Sequence, residues 1–177
     1  MAGHVVLVGF MGSGKSTVGA LVATALGLPF VDLDSRVEEM TGMSIEELFR
    51  VDGEKKFRLF EMAALAQVLD GPPAVIASGG GTPMQDENWR RMLNGNLVVH
   101  LDAPADVLLR RVGSGAGRPL ASHAEEPARA QALLDLLEDR RQRYLDAELT
   151  LDTGDSSPRE VADRVVSEVR RRARAAG

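Results

Sequence analysis

The stretch from Val5 to Ser16 constrains this chain more than any other. Val5-Val6-Leu7-Val8 is an unbroken apolar run, the pattern of a strand buried on both faces. Gly9-Phe10-Met11-Gly12-Ser13-Gly14-Lys15-Ser16 follows and fits G-x-x-x-x-G-K-[ST]. A helical pattern then runs from about Lys15 to Leu26, stopped by Gly27 with Pro29 beyond. In such a strand–turn–helix unit, glycines let successive N–H groups converge on an anion. The helix N-terminus adds its partial positive charge. A chance match in a chain of this size is on the order of one per cent. The lysine also stands out, because only three occur against eighteen arginines. Gly12, Ser13, Gly14, Lys15, Ser16 and Thr17 are therefore the candidate phosphate contacts. Lys15 is expected to reach the β- and γ-phosphates, and Ser16 to ligate Mg²⁺.

A phosphate cradle names a ligand class and leaves the reaction open. At 177 residues the chain is expected to form a single domain, 1–177, which is short for a motor or transporter ATPase. No N-K-x-D guanine reader follows the fourth apolar strand. With no cysteine, disulfide scaffolds, thiolate metal sites and Cys nucleophiles are excluded. The net charge of -5 argues against nucleic acid as a partner. Arg170, Arg171, Arg172 and Arg174 then read as a solvated helix end. No run approaches 18 apolar residues, so no membrane span is expected. The N-terminus reads as a strand and not as a signal peptide.

Apolar runs and helical stretches alternate along the rest of the chain. Strands are predicted at Phe30 to Leu33, Ala74 to Ala77, Leu97 to Leu101 and Leu149 to Leu151. Helices are predicted at Ser35 to Met40, from a capping box at Ser44, at Glu54 to Leu69 and at about Glu87 to Leu93. Further helices are predicted from Pro104 to Val112, at Ala128 to Tyr144 and from a second capping box at Ser157. Residues 113–119 read as a glycine-rich loop. Five strands alternating with helices predict an α/β fold, a parallel sheet with helices on both faces. Ligands in such sheets bind beyond the carboxyl ends of the strands, where each motif falls.

The remaining candidates sit at those ends. Asp32 and Asp34, two apart at the end of the second strand, are expected to share a face. One carboxylate could hold Mg²⁺ and the other accept a hydrogen bond from an attacking hydroxyl. Arg58 neighbours Glu54, Glu61 and Met62 by helical spacing, which also fits a plain surface ion-pair ladder. Gly79-Gly80-Gly81 permits close backbone approach to a ligand, or simply a flexible turn. Arg110 and Arg111 suit the end of a helix. Arg118 lies in the glycine-rich loop, as an arginine carried by a closing loop would. On the long later helix, Arg140 and Arg141 lie equally far from the inward stripe of Leu133, Leu137 and Tyr144, and periodicity does not choose between them.

In order, the motifs are the loop at 9–16, Asp32-Leu33-Asp34, Gly53-Glu54-Lys55-Lys56-Phe57-Arg58, Ser78-Gly79-Gly80-Gly81, Arg118-Pro119-Leu120, and Arg140 with Tyr144 four residues on. Together they resemble the shikimate kinase family over about residues 4–170. The resemblance implies a three-layer P-loop kinase fold with a five-stranded parallel sheet in order 2-3-1-4-5. It also implies a substrate-binding segment at about 33–61 and a lid at about 112–124. The implied reaction is phosphorylation of shikimate by ATP with Mg²⁺, by a cytoplasmic monomer. Asp34 would hold the 3-hydroxyl as base or orienter, and Arg58 and Arg140 would clamp the carboxylate. Gly79, Gly80 and Gly81 would line the ring. Lys15 and Arg118 would stabilise the transferring phosphoryl group. Ser16 would ligate Mg²⁺ with help from Asp32 through water, and Arg110 and Pro158 would flank the adenine.

Two positions depart from the family pattern. Ala121 stands where Leu is common, and Thr82 follows the three glycines where Ala or Ser is more usual. A gluconokinase-like enzyme is the first alternative, since it keeps the loop at 9–16 without needing Arg58 and the triple glycine. A regulatory nucleotide-binding module with no small substrate is the second.

Overall fold

The computed structural model describes residues 3–112 and 126–175. The predicted loop at 113–119 lies outside the described residues, as do Arg118, Ala121 and all but the first residue of the expected lid. Five parallel strands form one sheet: β1 (Val5–Val8), β2 (Phe30–Asp32), β3 (Val75–Ala77), β4 (Leu97–Asp102) and β5 (Leu149–Asp152). Their order is β2-β3-β1-β4-β5, as the family resemblance implies. The central strand pairs on both sides, with Val5 opposite Val75 on β3 and Leu97 on β4.

Alternation along the strands divides the core between the two faces. Val5, Leu7, Val75, Val99 and Leu101 pack with α1 (Lys15–Leu26) and α7 (Pro158–Ala175). Helix α7 offers them Val161, Ala162, Val165, Val166 and Val169, a stripe at helical spacing. Val6, Val8, Ile76 and Val98 face the other way. They are covered by α2 (Leu33–Thr41), α3 (Ile45–Leu69), α4 (Asp86–Leu93), α5 (Ala105–Val112) and α6 (Glu126–Leu145). Among the described residues, no helix is long and apolar enough to cross a membrane.

Both predicted capping boxes are present in part or whole. Ser157 Oγ accepts from the Glu160 N–H at 3.3 Å, and Glu160 returns a carboxylate oxygen to the Ser157 N–H at 2.8 Å. Ser44 Oγ accepts from the Glu47 N–H at 3.1 Å. The two helices predicted around Gly53 run together as α3 with a kink at that glycine, whose φ of 75° few other residues tolerate.

One boundary differs from expectation in a way that matters. The second strand ends at Asp32, one residue early, and Leu33 already begins α2. Asp32 caps that helix by accepting from the Asp34 N–H at 3.1 Å, which turns the chain out of the strand. Asp34 therefore sits in the first turn of a helix, and the shared-strand-face argument for the Asp32–Asp34 pair does not hold.

Candidate active site

A cavity of about 510 Å³ opens beyond the carboxyl ends of β1, β2 and β3. The glycine-rich loop forms its floor. Gly9, Gly12 and Gly14 take φ values of 145°, 79° and 91°, positions that a side chain would strain. Gly14 caps α1 with no side-chain hydrogen bond, so the first-turn N–H groups are left for a ligand. Lys15 Nζ donates to the carbonyls of Gly9 and Phe10, at 2.9 Å each, and so lies across its own loop.

Asp32 and Asp34 both line this cavity, although they reach it from a strand end and a helix start. Ser16 Oγ donates to Asp32 Oδ2 at 2.6 Å. Two hard oxygens side by side at an open phosphate site suit Mg²⁺, which keeps most of its waters and takes few protein ligands. Among the described residues no group of three or more His, Asp or Glu could hold a metal alone, so the cation would depend on phosphate oxygens.

The third strand runs into Ser78 and the triple glycine, which meets α3 and α6. A methyl group on Gly79 would stand 2.7 Å from Glu61 Oε1 and 2.8 Å from Asp34 Oδ1. One on Gly81 would stand 2.6 Å from Arg58 Nη1. The glycines are thus what lets Asp34, Arg58 and Glu61 close around one backbone segment. Arg58 is paired with Glu61 at 2.8 Å and with Glu54 at 3.0 Å. Glu54 is exposed, but Glu61 is only 1% exposed. The predicted surface ladder is therefore half correct: one rung lies in solvent and the other inside the protein. Burial works against the Arg58 charge, and the Glu61 and Glu54 carboxylates outweigh it, holding the guanidinium above its ordinary pKa.

Helix α6 closes the third side. Tyr144 O–H donates to the Gly80 carbonyl at 2.6 Å, pinning the glycine segment. Arg140, one turn earlier on the same face, is buried, whereas Arg141 is exposed. The choice that periodicity left open thus falls to Arg140 as the inward residue. The His100 ring stacks on Tyr144 at 5.3 Å. Burial lowers the His100 pKa, Asp102 opposes that, and Lys15 and Arg141 reinforce it.

The adenine side is less uniform. Pro158 lines the cavity, but Arg110 does not: it is exposed and paired with Asp106 at 2.9 Å. Its neighbour Arg111 lines the cavity and donates to the Thr153 carbonyl at 2.7 Å and to the Gly12 carbonyl at 3.4 Å. In the sequence Glu61 reads only as a helical neighbour of Arg58, and Arg111 only as a helix-end charge; neither is given a place in the site there. The signal for Glu61 was its spacing, four residues after buried Phe57 and four before buried Leu65. For Arg111 it was the position three residues after buried Leu108, whereas Asp106 and Arg110 pair at i,i+4 on the outer face.

Comparison with known proteins adds an independent line. The sequence model of a family described as "Shikimate kinase" matches residues 11–170. A shikimate kinase from Thermodesulfovibrio yellowstonii is 38% identical over 168 residues, covering 95% of each chain. One from Synechococcus elongatus is 43% identical over 163 residues, covering 92% of this chain and 84% of the relative. Among solved structures, a shikimate kinase from Acinetobacter baumannii in complex with shikimate superposes with a TM-score of 0.89 at 34% identity, covering 96% of this chain and 93% of that one.

Proposed function

The chain belongs to the shikimate kinase family, and from that premise we infer that it transfers the terminal phosphoryl group of ATP to shikimate, giving ADP and shikimate 3-phosphate in aromatic amino-acid biosynthesis. The observation that carries the reading is the ring of groups around the triple glycine. A small anionic polyol needs cations for its carboxylate and acceptors for its hydroxyls. Arg58 lies against Gly81, Arg140 is buried one turn from the tyrosine that pins Gly80, and Asp34 lies against Gly79. Asp34 also lines the cavity above the phosphate cradle.

In this reading Arg58 and Arg140 grip the carboxylate, and Gly79, Gly80 and Gly81 lie along the ring. Asp34 holds the 3-hydroxyl and orients or deprotonates it. The hydroxyl oxygen forms a bond to the γ-phosphorus as the bond to the β–γ bridging oxygen breaks, and ADP departs. Gly12, Ser13, Gly14, Ser16 and Thr17 hold the phosphates, while Lys15 and Arg118 balance the charge that shifts during transfer. Mg²⁺, held by Ser16 with Asp32 behind it, supplies charge neutralisation at the phosphates when bound. Pro158 and Arg110 flank the adenine, Arg110 after leaving its exposed pairing with Asp106. In this reading the substrate-binding segment spans about 33–61 and the lid about 112–124, within a single domain. The working unit in this reading is a monomer. The absence of cysteine is compatible with a reducing cytoplasm.

The test is ADP release with ATP and Mg²⁺, with shikimate present and absent, beside a panel of hydroxy acids that includes gluconate. Shikimate-dependent release above the panel is expected. An Asp34→Asn variant should lose at least about 100-fold in turnover, the scale of losing a catalytic base. Gluconate phosphorylated in preference to shikimate, or ATP binding without shikimate-dependent turnover, would overturn the assignment.

A further inference from the structure

Thr82 follows the triple glycine and is fully buried, out of reach of solvent. Its side chain nevertheless has one well-defined partner. The hydroxyl donates to Glu61 Oε1 at 2.5 Å, and the other oxygen of that carboxylate accepts from Arg58 Nη1 at 2.8 Å. The backbone of Thr82 is held at both ends: its N–H donates to the Gly79 carbonyl at 3.2 Å, and its carbonyl accepts from Asn88 Nδ2 at 3.2 Å. Pro83 follows within a 3-10 turn (Thr82–Met84) and stiffens the segment further. A β-branched side chain on a fixed backbone has little choice of χ1, so the hydroxyl is aimed before any ligand arrives.

We propose that Thr82 is a positioning residue for the acceptor substrate: by occupying one oxygen of buried Glu61, it leaves the other for Arg58 and keeps that guanidinium turned toward the substrate carboxylate. This role rests on the shikimate kinase reading and falls to one of the two positions where the sequence departs from the family pattern. Without the hydroxyl, Glu61 keeps a buried oxygen that lacks its donor, a costly condition for a charged group. The nearest remedy is a second N–H from Arg58. A guanidinium drawn into two-point pairing with Glu61 turns away from Gly81 and competes with the substrate carboxylate for the same donors. The consequence falls on shikimate affinity and leaves the nucleotide side alone, because nothing in this relay touches the loop at 9–16.

The experiment compares the parent with Thr82→Val, Thr82→Ala and Thr82→Ser. Initial rates are read against shikimate at saturating ATP, then against ATP at saturating shikimate. Thr82→Val keeps the shape and removes the donor; Thr82→Ala does the same with less bulk, should the valine variant fail to fold. Thr82→Ser keeps the donor. The shikimate KM should rise about 10-fold in the valine and alanine variants, the lower end for a hydrogen bond to a charged group. It should stay within about 2-fold of the parent in the serine variant, with kcat and the ATP KM changed by less than about 2-fold throughout. Unchanged shikimate KM in both donor-less variants overturns the proposal. So does an equal rise in the serine variant, or a joint fall of kcat and ATP affinity, which marks a merely structural role. A parent with no shikimate-dependent ADP release overturns the family reading as well; an active parent with unresponsive variants overturns only the role of Thr82.

Discussion

Replacing Gly81 by alanine separates activity from stability in a way that few substitutions at this site can. The backbone there has φ -93° and ψ -12°, at the edge of the right-handed helical region and open to alanine. Removing glycine's freedom in the unfolded chain contributes about 0.4–1 kcal/mol of stability at such a position. The added methyl, however, would stand 2.6 Å from Arg58 Nη1, 2.7 Å from Nη2 and 2.9 Å from Cζ. Comfortable contact at carbon begins near 3.5 Å, so the guanidinium has to retreat by about 1 Å. It can do so, because it is the far end of a flexible side chain, but its bonds to Glu61 and Glu54 decide where it goes. A displacement of that size at a substrate-positioning group costs about 100-fold, or ~2.7 kcal/mol of transition-state stabilisation. Steady-state kinetics against shikimate should show that loss in kcat/KM, with the ATP KM within about 2-fold of the parent. Thermal melting should show a Tm within about 3 °C of the parent. A folded Gly81→Ala enzyme with parental kcat/KM for shikimate would refute the placement of Arg58 as a substrate contact.

Two further outcomes follow from the same geometry. Arg140→Lys should raise the shikimate KM about 10-fold through loss of the planar fork, whereas Arg141→Lys should change it less than about 2-fold; equal effects measured in the same assay would reverse the choice between them. Acid should destabilise the fold in part through His100. Its pKa is lowered below the ordinary 6.5, mainly by burial, so the unfolded chain binds the proton more readily. The stability of the neutral ring is complete above about 6.5 and is lost as pH falls through that value toward the folded one. His100→Phe keeps an aromatic ring beside Tyr144 and cannot titrate, so Tm should fall less between pH 7 and pH 5 than in the parent. An identical slope would show that His100 carries none of the acid response.

The phosphate loop and most elements were legible in the sequence because each rests on a local pattern: a β-branched run, a glycine stop, a capping box; the sheet order came only with the family resemblance. The sequence was less able to say what faces what. The pairing of Asp32 with Asp34 assumed a strand that carried on, but the Asp32 side chain caps the next helix and bends the chain. Arg140 and Arg141 were indistinguishable because both flank the apolar stripe equally, and packing against the glycine segment decides between them. Glu61 read as one more charge on a helix surface. Its buried carboxylate accepts from Thr82, twenty-one residues away in sequence and in contact only after folding. Arg110 and Arg111 share a helix end, yet only the second reaches the cavity.

The two halves of the site hang from different parts of the sheet. The phosphate loop leaves β1, which is hydrogen-bonded along both sides, while Asp32 and the helices that follow it leave β2, which has a neighbour on one side only. In the proposed reading the nucleotide's phosphates thus rest on a strand held along both edges, whereas Asp34 and Arg58 on the acceptor side hang from the rim, where loosening is least costly, and only the triple glycine ties that side to the interior strand β3. An architecture divided this way can exchange one alcohol for another by remodelling its margin, while the machinery common to every phosphoryl donor stays bolted to the middle.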